Sequence, residues 1–197
     1  MLRFISKLFI LIFLTINLNS ISYAQDPKEF IEEVTKKASS ILKSNIDKNQ
    51  KTEKLKELAE RSVDIKGVGF YSLGKHRKTI SKEKLNEYEM LFKSYFLKSF
   101  SSRLSEYSDP KINVISKNVI NKNYTIVSSI LVADEKRPEV KIDWRVYTKI
   151  EERPLIRDLI IEGLSLARTQ KEEFSSVINS ADGNVEVLFE NLRKFIK

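Results

Sequence analysis

The sequence lacks cysteine and has a single histidine, His76, among its 197 residues. Disulfides, thiol chemistry and Cys/His dyads are therefore excluded, and so are histidine-rich metal sites. His76 lies in the basic segment 75–78, where neighbouring positive charge lowers the basicity of an imidazole. We expect it to be a solvated loop residue. Glycine is scarce too, and Gly67-Val68-Gly69 is too short to form a phosphate-binding loop.

The N-terminal segment has the layout of a secretory signal peptide. Arg3 and Lys7 form a positive start, and residues 8–18 are apolar. This stretch is too short for a membrane-spanning helix, which needs about 20 residues. Ser22-Tyr23-Ala24 then places small residues at a cleavage site. We expect residues 1–24 to be a cleaved signal peptide and 25–197 to be a single exported, periplasmic domain; an uncleaved anchor is the alternative.

The formal net charge is +8, and cleavage of the leader removes two of the positive charges and no negative one. An exported protein does not meet nucleic acid, so we expect no nucleic-acid partner. The remaining positive charge fits an anionic lipid surface or an acidic partner. It fits equally well a surface of lysines that keeps the protein soluble.

The first half of the mature chain shows the period of amphipathic helices. Helices are predicted over about 27–49 and 52–61. Segment 63–74 is apolar and carries three of the five glycines, which indicates a stretch that wraps closely against other elements. A long helix follows over about 81–107, with aromatic residues along one stripe, and Asp109-Pro110 ends it.

The period then changes to two, which predicts four strands at 112–120, 124–132, 140–148 and 155–166. Two C-terminal helices follow, the first starting with a Thr169-x-x-Glu172 capping box. Short connections between successive strands favour an antiparallel meander. The predicted fold class is α+β: a curved, antiparallel four-stranded sheet with helices packed on one face, enclosing an apolar pocket.

Catalytic constellations are not evident. Adjacent carboxylates such as Glu151 and Glu152 lie beside predicted turns, where such pairs are usually solvated. We therefore expect no enzyme. The aromatic and aliphatic residues of the long helix and the third strand are numerous, but pattern alone does not separate a filled core from a ligand pocket.

One segment resembles a known family. Residues 158–167 read DLIIEGLSLA, and a polar stretch and Phe174 follow. This is similar to the strand-to-helix motif of the MlaC family, the periplasmic phospholipid-binding proteins also called the toluene-tolerance family. The leucine–glycine block at 73–81 and the long aromatic helix also resemble that family. Two positions depart from its pattern: Arg77 stands near a frequent tryptophan, and Lys171 replaces an arginine, whose bidentate fork lysine lacks.

The resemblance implies a carrier that moves phospholipid between an outer-membrane lipoprotein–porin complex and an inner-membrane ABC transporter complex, and so maintains outer-membrane lipid asymmetry. Phospholipid would be its cargo, and no cofactor is expected. A shuttle of this kind is best served by being a monomer. Arg145 and Arg157 are candidates for attracting the headgroup phosphate, although both suit a solvated surface equally well.

We place the predicted pocket between the inner face of the sheet and the long helix. The expected lipid-binding residues are Phe92, Phe96, Phe100, Ile126, Ile130, Val140, Ile142, Trp144, Val146, Ile160 and Leu164. Two alternatives remain open. One is a periplasmic adaptor that binds only proteins, and the other is a hydrolase or isomerase on a cone-shaped α+β scaffold that uses His76 or Asp158.

Overall fold

The computed structural model describes residues 25–135, 138–149 and 153–197. The predicted signal peptide, 1–24, lies outside the described residues. The helices of the described part are α1 (Pro27–Lys43), α2 (Lys48–Ser62), α3 (Ile65–Leu73), α4 (Lys82–Leu104), α5 (Leu166–Asn179) and α6 (Val185–Ile196). Its strands are β1 (Ile112–Asn121), β2 (Tyr124–Leu131), β3 (Val140–Tyr147), β4 (Leu155–Ile161) and β5 (Leu164–Ser165). A 3-10 turn, Gly74–Lys78, separates α3 from α4.

The strands form one open sheet in the order β1-β2-β3-β4-β5, and each neighbouring pair is antiparallel. The predicted α+β class and meander are confirmed, whereas the predicted count of four strands is wrong. Glu162 and Gly163 both have positive φ, 49° and 82°. This conformation makes the tight turn that reverses a hairpin, so the segment predicted as one strand over 155–166 becomes β4, a turn, β5 and the start of α5.

Side-chain caps set where the helices begin. The Asp26 carboxylate accepts from the Lys28 amide at 2.8 Å to start α1, and the Ser165 hydroxyl accepts from the Arg168 amide at 3.1 Å to start α5. Such caps satisfy amides that have no partner inside the helix. The predicted capping box at Thr169 is therefore wrong: Thr169 lies within α5, where its hydroxyl donates to the Ser165 carbonyl at 3.1 Å.

Segment 63–74 contains a helix that the periodicity did not reveal. The Asp64 carboxylate accepts from the Gly67 amide at 2.9 Å and so caps α3. Gly69 lies against α4: a Cβ added there would be 2.6 Å from Cδ1 of Phe92. The expectation of close packing holds, and glycine permits it because it has no side chain to clash.

The buried apolar residues fall into two clusters. The helical core joins α2 to α6 through Ala59, Ile65, Leu73, Tyr88, Phe92, Leu97, Phe174, Ile178, Leu188, Phe189 and Leu192. The sheet core joins α1 to the sheet through Phe30, Ile31, Val127, Ile142, Trp144, Val146 and Ile156. Val63, at the end of α2, packs against both cores, and the next amide, Asp64, donates to the Ile156 carbonyl at 2.9 Å.

Helix α1 is fastened across the sheet core at both ends. The Lys117 ammonium of β1 pairs with Asp26, and this hydrogen bond holds the pKa of the Asp26 carboxyl below its usual value. At the other end the Ser39 hydroxyl donates to the Pro110 carbonyl at 2.8 Å. The helix therefore lies along β1 and covers one face of the sheet, which we call the inner face.

Candidate functional site

The strand register defines the inner face. Val127 pairs with Trp144 and Ser129 with Ile142 between β2 and β3, and Trp144 pairs with Leu159 between β3 and β4. Directly paired residues point to the same face of a sheet. The inner face of these three strands therefore consists of Thr125, Val127, Ser129, Leu131, Val140, Ile142, Trp144, Val146, Ile156, Leu159 and Ile161. The four residues predicted on β3 are all on it.

The polar groups of this face are internally satisfied around Trp144. Its indole N–H donates to the Ser129 hydroxyl at 2.8 Å, and that hydroxyl donates to the Ile142 carbonyl at 3.1 Å. Ser129 is fully buried. Since a buried donor without a partner costs about 1–3 kcal/mol, these bonds let a tryptophan lie in an apolar surface. Ser129 was missed because a serine carries no apolar signal, although its even spacing from Val127 placed it on this face.

Ile126, Ile130 and Ile160 were expected in the pocket, and their placement on the inner face is wrong. Ile126 pairs with Arg145, Ile130 with Lys141, and Ile160 with Asp143, so all three are on the opposite face, among charged residues. The sequence shows apolar residues at 126, 127, 130 and 131, and a period of two allows only one parity per face. The β2–β3 register selects Val127 and Leu131.

Leu164 lies on the two-residue strand β5 and is 58% exposed. It follows the Glu162–Gly163 turn and pairs with Ile161 at the end of the sheet. This position is at the tip of the hairpin, outside the buried part of the sheet core.

The aromatic residues of α4 belong to the helical core and its margin. Phe92 is buried and packs edge-on against Phe174, with ring centroids 6.2 Å apart. Phe96 and Phe100 are half-buried and stack on each other at 5.8 Å. The predicted site residues on β3 and α4 are thus divided between the two cores.

The inner face is partly open at one end. Ile112, Leu131 and Val140 pair across three strands in the first row of the sheet, and all three are half-buried. Beside this row a cleft of about 360 Å³ separates α1 from β1. It is lined by Glu32, Thr35, Lys36, Ser39, Lys43, Pro110, Lys111, Ile112, Asn113 and Val114. An apolar edge thus adjoins a rim that carries three lysines.

Arg157 does not have a free guanidinium. It donates to the Asp64 carboxylate at 2.6 Å through Nε and to the Tyr124 hydroxyl at 2.7 Å, and it stacks 3.5 Å from the ring centroid of Tyr147. These contacts hold the side chain of Arg157 against the start of α3 and against β2 and β3. Arg145 is more open: it is 43% exposed and lies 3.8 Å from Asp158.

Asp158 is a structural residue at the heart of the motif 158–167. Its side chain is buried, and its two oxygens accept from the Ser165 hydroxyl at 2.6 Å and from the Ala167 amide at 3.0 Å. The carboxylate therefore fixes the turn from β4 into α5. Because both oxygens are engaged by this turn, the motif explains the local fold.

His76, expected in a solvated loop, is instead buried. It lies in the 74–78 turn, and its Nε2 atom has no hydrogen-bond partner within the described residues. Burial lowers the pKa of the imidazole, and the charge of Lys75 lowers it further. The expectation of depressed basicity is correct, but burial is its main cause.

Metal-binding clusters and membrane-spanning helices are both absent from the described residues. No group of three or more His, Cys, Asp or Glu side chains there is arranged to hold a metal ion. Within 25–135, 138–149 and 153–197, none of the helices has the length and apolar character needed to cross a bilayer.

Fold and site together define a small α+β domain in which an antiparallel sheet presents an apolar face beneath a helix. The family model for MlaC protein matches residues 32–194, and the chain belongs to this family. No curated protein matches it. Among solved structures it is similar to a phospholipid-binding protein from Ralstonia solanacearum in complex with a phospholipid, with a TM-score of 0.73 and 19% identity. The match covers 87% of this chain and 97% of that one.

Proposed function

We propose that this protein is a phospholipid-binding carrier that holds the acyl chains of its cargo against the inner face of the sheet. The observation that carries the proposal is the inner face itself, which is apolar apart from two hydroxyls and the Trp144 indole N–H, in a member of the MlaC family. A related fold from Ralstonia solanacearum holds a phospholipid. Exposing an acyl chain to water costs about 0.8 kcal/mol of free energy per CH₂, so a carrier must cover the chains.

The open end of the inner face is the proposed entrance for the chains. Ile112, Leu131 and Val140 offer half-buried apolar surface there, and α1 borders it. Lys36 and Lys111 line the adjoining cleft without an ion pair in the described part of the protein, whereas Lys43 pairs with Asp109 at 2.7 Å. A headgroup phosphate at this rim would meet positive charge while remaining in water.

We further propose that the carrier works in the periplasm, after cleavage of residues 1–24, and exchanges phospholipid with an outer-membrane lipoprotein–porin complex and an inner-membrane ABC transporter complex. The leader-like N-terminus supports export. Family membership supports the transport role. The mature chain would work as a monomer, since a shuttle docks on two partners in turn.

A catalytic role gains no support from the two residues that were its candidates. The Asp158 oxygens are engaged by Ser165 and Ala167. His76 is buried in the 74–78 turn and its imidazole is held neutral more strongly than usual. Binding without turnover is the function that the described residues support.

The proposed site is tested with the fluorescence of Trp144, the one tryptophan of the chain. The mature protein, purified without detergent, is loaded with phosphatidylglycerol whose acyl chains carry bromine, which quenches nearby indoles. We expect one phospholipid-mass adduct by native mass spectrometry and strong quenching of Trp144. An adduct without quenching would place the lipid away from Trp144. A protein that takes up no lipid would contradict the carrier proposal and favour the protein-binding adaptor.

Two adjacent residues of β2 supply a matched pair of variants. Leu131 is on the inner face and Ile130 on the opposite face, and both are half-buried. We expect Leu131→Trp to reduce phospholipid loading at least tenfold, because the indole fills the entrance, and Ile130→Trp to leave loading unchanged. Equal loading by both variants would contradict the proposed entrance.

A further inference from the structure

A second cleft, distant from the inner face in chain position and chemistry, lies between the end of α3 and the outer side of α5. Its volume is about 900 Å³. We call it the basic cleft. It is lined by Tyr71, Arg168, Lys171, Glu172, Ser175, Ser176, Asn179 and Ser180. Except for the Tyr71 ring, its side chains are polar or charged, so it is unsuited to acyl chains.

The two cations that line the basic cleft have no ion-pair partner in the described part of the chain. Arg168 and Lys171 form no ion pair with any carboxylate in the described residues, and Glu172 is the one acidic residue in the lining. Elsewhere on the surface, lysines and arginines are commonly paired: Arg193, for example, bonds Glu186 at 2.7 Å and also Glu87. Unpaired cations grouped around a concavity create a positive potential that attracts an anionic partner.

Lys171 is held in position at the cleft. Its ammonium lies 5.2 Å from the ring centroid of Tyr71. Its stem passes Gly74, where an added Cβ would be 3.3 Å from the Lys171 Cε. Gly74 has φ of 60°, a conformation that glycine adopts readily. The turn therefore approaches α5 closely and fixes the lysine at the edge of the cleft.

The turn that follows Gly74 extends the positive surface. Lys75, Arg77 and Lys78 are all exposed, and none forms an ion pair among the described residues. The turn is anchored by the buried His76, and the Thr79 amide donates to the His76 carbonyl at 3.1 Å. Two cations thus line the cleft, and three more lie on the turn that begins at Gly74, beside Lys171.

The wall of the basic cleft also offers hydrogen-bonding groups. Ser175 and Ser176 follow Lys171 on the same side of α5, and their hydroxyls make no hydrogen bond in the part of the chain that the structure describes. Asn179, one turn further on, adds a carboxamide. Groups of this kind pair with a peptide backbone as well as with carboxylates.

We propose that the basic cleft binds an acidic peptide segment of a partner protein. A concave site with a hydrogen-bonding wall, one aromatic residue and a rim of cations matches a protruding chain segment. Arginine and tyrosine are also residues on which protein interfaces commonly rely. The inference goes beyond lipid binding and does not depend on it, since the cleft and the inner face share no residue.

The test measures binding of a fluorescein-labelled peptide of twelve glutamates by anisotropy at physiological ionic strength. R168E/K171E changes the cleft, and K54E/K122E makes the same change of charge at exposed lysines elsewhere. We expect R168E/K171E to weaken binding at least tenfold and K54E/K122E to weaken it less than threefold. The affinity of the uncharged variant R168Q/K171Q should fall between those of the two charge-reversed variants. This variant replaces R168E/K171E in the test if charge reversal disturbs folding.

Two results would overturn the proposal. One is equal weakening by both charge-reversed variants, which would mean a response to net charge alone. The other is that the peptide does not bind, while the protein sediments with phosphatidylglycerol vesicles only when Arg168 and Lys171 are present. That result would identify a membrane-surface site. Native mass spectrometry of R168E/K171E separates this test from the lipid proposal, because we expect its phospholipid occupancy to equal that of the unaltered protein.

Discussion

Asp158 shows how a single residue explains a sequence motif. One buried carboxylate accepts from a hydroxyl and from a backbone amide seven and nine residues later. Those two bonds, with the positive-φ pair Glu162 and Gly163, turn the chain from β4 through β5 into α5. The motif that identified the family is therefore a folding motif. Of its residues, only Leu159 and Ile161 lie on the inner face, where the ligand is proposed to bind.

His76 gives a prediction at the same scale. Because burial lowers the pKa of its imidazole in the folded protein, the unfolded chain takes up a proton first as the pH falls. The free energy of unfolding should therefore decrease below about pH 6.5, the ordinary histidine pKa, and level off once the folded protein is protonated as well. His76→Leu introduces an apolar side chain of similar size that does not titrate.

Urea denaturation of wild type and His76→Leu between pH 5 and 8 measures the effect. The difference in stability between the two proteins should shift in favour of the variant as the pH falls below about 6.5. A difference that stays constant across this range would show that His76 does not couple to folding. Acidic groups contribute to both proteins alike, so they cancel in the comparison.

At the scale of elements, the long helix and the first three strands were predicted well, whereas the helix expected over about 27–49 ends at Lys43. Helix α4 was expected over about 81–107 and runs from Lys82 to Leu104, and the first three strands agree to within one residue at each end. Their signals repeat over many residues. The missed features depend on one or two residues: the Asp64 cap that starts α3 and the Glu162–Gly163 turn.

The contact between α3 and α4 provides a prediction for a pair of helices. Gly69→Ala would place a methyl group 2.6 Å from the buried ring of Phe92. Overpacking of this kind costs about 1–3 kcal/mol, whereas alanine favours a helix by about 1 kcal/mol over glycine. We expect a net decrease in the free energy of unfolding, because Phe92 is enclosed by the helical core and cannot move away.

A double-mutant cycle checks the cause. In a Phe92→Leu background the smaller side chain leaves room, so Gly69→Ala should cost less there than in the wild type. The same cost in both backgrounds would mean that the loss does not arise from contact with Phe92.

At the scale of the whole molecule, composition and period gave the class of fold but not the arrangement of its interior. Sequence placed the β3 residues on one face correctly, since alternation within a strand is a local property. It did not determine which isoleucines of β2 and β4 share that face, because this depends on pairing between strands. Nor did it reveal that Arg157 bonds Asp64, 93 residues away, or that α4 belongs to a separate core.

The division into two cores has a consequence for local unfolding of the protein. The sheet core and the helical core are separate clusters of buried side chains, with Val63 packed against both, and we expect each to open as a cooperative unit of its own. Native-state hydrogen exchange should then show two levels of protection, with amides of β2 and β3 exchanging together and faster than those of α4. Uniform protection would show one unit. Two units would let acyl chains separate α1 from the sheet while the helices stay folded, so that cargo enters without global unfolding.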